Sequence, residues 1–97
     1  MKFKELEWED IISDGTVVCS HCEMNLCGVV KIEFRINHEP EGDNYCLYSF
    51  GKGSIRRLQP DVFGSLDGAK SAAYRIYSNE MERIKKAVDY LVEGEGY

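Results

Sequence analysis

From Val30 to Asn37 the chain alternates strictly. Val30, Ile32, Phe34 and Ile36 are apolar, and Lys31, Glu33, Arg35 and Asn37 between them are polar. A period of two sends successive side chains to opposite sides of a pleated strand. Residues 29–37 are therefore expected to form a strand with one buried and one wet face, as in an antiparallel sheet. Leu6 and Trp8 alternate with Glu5, Glu7 and Glu9, which predicts a first strand over residues 3–10. Ser13-Asp14-Gly15 has turn chemistry, and the β-branched run that follows predicts a second strand over residues 16–20. Residues 21–28 favour no element and read as a connection. Residues 38–44 form a polar loop, and residues 45–50 a further strand with Cys46, Tyr48 and Phe50 on one side. After a tight turn at Gly51-Lys52-Gly53, residues 54–58 read as a short edge strand, ended by Pro60, which cannot donate to a ladder.

The period then changes. From Leu66 the apolar positions Ala69, Ala73, Ile76, Tyr77, Met81, Ile84, Val88 and Leu91 collect on one side of a helix. Ser65 is placed as its N-cap, Asp67 sits in the first turn where the helix dipole favours an acid, and Gly94 suits the stop. Asn79 with Glu82 repeats a capping-box pattern, so the expectation is one long helix, unbroken or hinged at Ser78-Asn79. Residues 1–97 are thus expected to form a single α+β domain: an antiparallel sheet of four to five strands packed by that helix.

Charge adds an asymmetry to this picture. The first 43 residues carry ten acidic against four basic residues, whereas residues 44–86 carry eight basic against four acidic, within a net charge of −5. Such a distribution argues against sequence-specific binding of nucleic acid through one basic face. It makes the acidic residues Glu5, Glu7, Glu9, Asp10, Glu39, Glu41 and Asp43 candidates for binding a basic protein partner. No run of the sequence approaches the ~20 apolar residues of a membrane span. The acidic start differs from the apolar core of an export signal, so a cytoplasmic location is expected.

Chemistry-bearing residues are few. Cys19-Ser20-His21-Cys22 followed by Cys27 gives a C-x2-C-x4-C series, and the first pair has the spacing of two thiolates on one zinc. Cys46, His38 or His21 would complete such a site, giving Cys19, Cys22, Cys27 and Cys46 as the candidate metal ligands. No second paired knuckle exists, so free thiols are the plainer reading, and no cofactor other than this zinc alternative is implied. His21 and His38 lack an orienting acid in any recognisable motif, and Gly51-Lys52-Gly53-Ser54 lacks the length and the following helix of a phosphate loop. An enzyme is not expected.

Trp8 at the end of the first strand, Gly28 ahead of the alternating strand, Tyr48, and the helix start Ser65-Leu-Asp-Gly-Ala-Lys-Ser-Ala-Ala73 together resemble a set of small uncharacterised phage and prophage proteins. The resemblance implies a phage or mobile-element accessory protein working inside the host cell. It further implies a non-enzymatic inhibitor or adaptor that binds a host defence protein or ribonucleoprotein complex, in the manner of an anti-CRISPR protein.

Overall fold

The computed structural model describes residues 4–26, 30–51, 55–56 and 58–93. Its elements are β1 (Glu9–Ser13), β2 (Thr16–Leu26), β3 (Val30–Glu39), β4 (Asn44–Phe50), β5 (Asp61–Phe63) and α1 (Leu66–Glu93). The strands form one antiparallel sheet in the order β1-β2-β3-β4-β5, each beside its sequence neighbour. α1 lies across one face of that sheet, against β3, β4 and β5. The fold is α+β, as expected.

Local chemistry accounts for the connections. Asp14 (φ 52°) and Gly15 (φ 77°) carry the two left-handed positions of the two-residue turn that joins β1 to β2. Asp43 takes a positive φ of 50° at the end of the β3–β4 turn and donates its N–H to the Pro40 carbonyl at 3.4 Å. Ser65 caps α1: its hydroxyl accepts the Gly68 N–H at 3.0 Å and its carbonyl accepts the Ala69 N–H at 3.1 Å.

The core forms between the sheet and α1. Ile32, Phe34 and Ile36 on β3, Leu47 on β4 and Cys22 on β2 meet Ala69, Ala72, Ala73, Tyr77 and Met81. Three alanines at the contact let the helix approach closely, and Phe34, fully buried, fills the centre. Removing the Phe34 ring would cost about 3–5 kcal/mol through lost transfer energy and the cavity left behind.

Four expectations change. Residues 4–8 form no regular element and pair with no strand; they lie over the core beside α1, with the Trp8 ring 6.4 Å from Phe34 and Lys70 Nζ 5.6 Å from the Trp8 ring. Their alternation reports which side chains turn inward, Leu6 and Trp8 being half-buried and Glu5 and Glu7 exposed, and that requires no strand ladder. Residues 21–26, read as connection, continue β2, because Cys22 and Met24 alternate with His21, Glu23 and Asn25 along an unbroken pairing with β3. The edge strand lies at Asp61–Phe63, just after Pro60, where the missing N–H costs no ladder bond. Ile55, expected within a strand, instead forms a buried turn, packed so closely on Gly51 that a Cβ there would lie 2.9 Å from its Cγ2. Phe3, Cys27, Gly28, Lys52, Gly53, Ser54, Arg57 and Gly94, which also carried expectations, lie outside the described residues.

The helix is unbroken. Ser78 does not start a second helix; its hydroxyl donates back to the Tyr74 carbonyl at 2.9 Å, one turn earlier. At 28 residues α1 is about 42 Å long, and the molecule measures 59 × 22 × 21 Å. Met81 is 8% exposed, but Val88 is 51% and Tyr90 75% exposed, so the apolar stripe runs past the surface that covers its first half. No described helix is long and apolar enough to cross a membrane.

Candidate functional site: the bare face of the sheet

A helix on one side leaves the other side of the sheet without a covering element among the described residues. Register decides what that side displays, since directly paired residues point the same way. One row crosses all five strands: Ile11, Cys19, Asn37, Cys46 and Val62. It carries no formal charge. The next row is Glu9, His21, Arg35 and Tyr48. Beyond it lie Glu23, Glu33 and Phe50, then Asn25 and Lys31. The β-bulge between Ile11 and Ile12 shifts the register so that Ile12 lies opposite Val17. Ile11, Ile12, Phe50 and Val62 are all exposed large apolar side chains.

The charges in the middle of this face are partnered. His21 Nε2 lies 3.0 Å from Glu33 Oε2, Lys31 Nζ 3.4 Å from Glu23 Oε1, and Arg35 Nη2 3.9 Å from Glu33 Oε2. The Arg35 guanidinium also sits 5.9 Å from the centre of the Phe50 ring. Glu9, Ile11, Cys19, His21, Arg35 and Asn37 line an open groove of about 520 Å³. A smaller hollow of about 390 Å³ lies on the opposite side of the molecule, between the 4–8 segment and α1, lined by Glu5, Leu6, Trp8, Lys70, Ser71 and Tyr74.

The acidic residues singled out in the sequence do not gather in one place. Glu9 belongs to the bare face. Asp10 faces the other way, accepting a short hydrogen bond from the buried Ser20 hydroxyl and pairing with Lys70 Nζ at 3.2 Å. The Ser20 bond, aided by Lys70, holds its carboxyl below the usual carboxylate range. Glu5 and Glu7 are exposed on the segment beside α1. Glu41 and Asp43 occupy the β3–β4 turn, where Asp43 pairs with His38 at 2.8 Å, and Glu39 accepts a bond from the Cys46 thiol at 3.2 Å.

The cysteines are also separated. Cys19 and Cys22 are three apart on a continuous strand, so their side chains leave opposite faces of the sheet. Cys19 is half-buried on the bare face and Cys22 is buried under α1. Two thiolates share a zinc at this spacing when the chain turns between them, and here it does not. Cys46 lies on the bare face two strands away from Cys19. Among the described residues no grouping of three or more metal-ligating side chains includes a cysteine, and Cys27 lies outside them. Burial pushes the Cys22 thiol up, and burial with the neighbouring Glu39 does the same to Cys46.

Glu23, Glu33 and Arg35 were not singled out as site residues from the sequence, and His21 was named only as one of three residues that could complete the cysteine site. The signal was present in the alternation of residues 20–25, which becomes readable once that stretch is assigned to a strand. No family model matches this chain, and no curated protein or solved structure is measurably similar to it.

Proposed function

We propose that this protein is a non-enzymatic binding protein that docks a protein partner on the bare face of its sheet. The observation behind this reading is the exposure of Ile11 (56%), Ile12 (64%), Phe50 (40%) and Val62 (59%) around a charged centre. Several large apolar side chains exposed together on one uncovered face mark an interaction surface rather than a solvated sheet face. Strands spaced about 4.8 Å apart and rising about 3.3 Å per residue give this face an extent on the order of 600 Å². That is close to the ~800 Å² each partner contributes to a standard interface. The expected partner surface is flat, apolar at its margins and basic where it would meet Glu9.

We take the partner to be a component of a host defence complex, as the resemblance to phage accessory proteins implies. The test expresses the protein in bacteria carrying an active CRISPR or restriction system and measures the plating efficiency of a targeted phage. The wild type is expected to raise plating at least about tenfold, and Ile12→Glu with Val62→Glu to abolish the gain. Both side chains are more than half exposed, so the double variant should keep its unfolding midpoint, and that is measured alongside. Unchanged plating across a panel of such systems would remove the host-defence reading. A gain retained by the folded double variant would remove the bare face as the docking surface.

A further inference from the structure

We propose that His21, Glu23 and Glu33 form a binding site for a divalent transition-metal ion, held by one imidazole nitrogen and two carboxylate oxygens. One ligand atom from each of the three residues lies within 4.8 Å of the others, and no cysteine takes part. Ligands around an ion at about 2.0–2.2 Å stand roughly 3.0–4.4 Å apart, depending on the angle between them. His21 Nε2 and Glu33 Oε2, at 3.0 Å, already have the separation of adjacent ligands. The widest separation in the group, up to 4.8 Å, closes to a tetrahedral spacing of about 3.5 Å by rotation of the carboxylate side chains.

The backbone fixes this arrangement. His21 and Glu23 are two apart on β2 and so share a face, and Glu33 lies directly opposite Glu23 on β3. Both strands are interior to the sheet and held on either side by neighbours. Ligands on such strands are held more rigidly than ligands on loops.

Electrostatics favours a cation at this point. Glu23 and Glu33 are a directly opposed pair of like charges, a destabilising arrangement on a sheet. Their basic neighbours balance them from outside: Lys31 is 62% exposed at 3.4 Å from Glu23, and Arg35 is 48% exposed at 3.9 Å from Glu33. Both long side chains can swing into water, leaving the carboxylates to a dication placed between them. One imidazole with two carboxylates suits zinc, manganese or nickel better than magnesium or calcium, which take oxygen ligands alone. Three protein ligands on an open face leave the remaining positions to water or to a side chain of whatever docks there.

The test uses the full chain, treated with chelator and dialysed, titrated with zinc by calorimetry and with cobalt by visible absorption. Saturation at one equivalent is expected, with cobalt d–d bands and no thiolate charge-transfer band. His21→Ala and Glu33→Gln are each expected to weaken zinc binding by more than about tenfold, since even loss of an outer-shell partner costs that much. Cys19→Ser should leave binding unchanged. Metal should raise the melting temperature of the wild type but not of His21→Ala, whose metal-free melting temperature serves as the fold control. Absence of saturable binding overturns the proposal. So does binding that survives in folded His21→Ala and Glu33→Gln, or a thiolate band, which would assign the metal to the cysteines. Neither result bears on partner docking, which is read out through Ile12 and Val62.

Discussion

Tyr77, Met81, Ile84, Val88 and Leu91 repeat at heptad-like spacing along α1, and by pattern alone truncating Met81 or Val88 should cost alike. The structure separates them. Met81 is 8% exposed within the core cluster, and Met81→Ala removes buried groups from it. The expected cost is about 2 kcal/mol, at the low end for such changes because the site lies at the margin of the sheet. Val88 is 51% exposed, so Val88→Ala loses little burial. It gains up to ~0.7 kcal/mol from the better helix propensity of alanine, leaving a net change within about 0.5 kcal/mol of zero. Urea unfolding followed by circular dichroism reads both. With an m-value of about 1–2 kcal/mol/M, Met81→Ala should lower the midpoint by about 1 M or more and Val88→Ala should scarcely move it. On heating, the first should melt about 10 °C early, at ~4–8 °C per kcal/mol for a domain of this size. A loss above about 1 kcal/mol for Val88→Ala would refute the reasoning, because it would mean that the far end of the stripe is packed in solution. Repeating the melt over a hundredfold range of protein concentration then identifies self-association, which alone makes the midpoint concentration-dependent.

Two further outcomes follow from buried and paired groups. Asp10 has a carboxyl held below its ordinary range by Ser20 and Lys70, so it adds stability above its unfolded pKa of about 3.9 that is lost as pH falls through the lower folded value. The stability gap between wild type and Asp10→Asn, followed by urea midpoints from pH 6 down to pH 2.5, should therefore be widest near neutrality and close with acid; a gap that widens toward acid refutes the assignment. Alkylation by iodoacetamide at neutral pH, mapped by peptide mass spectrometry, should modify half-buried Cys19 before Cys22 and Cys46, which are buried and have raised thiol pKa values; rapid labelling of Cys22 in the folded protein would contradict its placement under α1.

The parts of the fold legible in the sequence are those where one local rule acts alone. Strict alternation over Val30–Asn37 identified β3, whose Ile32, Phe34 and Ile36 are buried. Asp14-Gly15 marked the β1–β2 turn, and Ser65 marked the start of α1. Errors arose where two rules give the same pattern. Leu6 and Trp8 alternate as a strand would, yet the 4–8 segment pairs with no strand, because alternation records side-chain direction and not ladder hydrogen bonding. Ser78-Asn79 resembles a helix start, yet the Ser78 hydroxyl is satisfied by the Tyr74 carbonyl of the continuing helix. The overhang of α1 has no local signal at all. It depends on how much of the helix β3, β4 and β5 cover, and only the assembled structure sets those strands against the helix.

The candidate chemistry was harder to read, because a spacing has no meaning until the secondary structure carrying it is known. Cys19 and Cys22 approach each other where the chain turns and are driven apart on a strand, where an odd separation changes the face. His21 and Glu23 form no pair in a loop, but on β2 their even separation places them side by side, and β3 adds Glu33 by register. Reading residues 21–28 as a connection thus favoured the cysteines and hid the histidine–glutamate group in a single step. The same parity explains why the acidic first half of the sequence is not an acidic face. Glu9 and Asp10 are adjacent in the chain but lie on opposite sides of the sheet, one lining the groove with His21 and the other tied to Lys70. Charge density along a strand is therefore divided between two surfaces. On this sheet the half that remains on the bare face is gathered around His21, opposite Arg35.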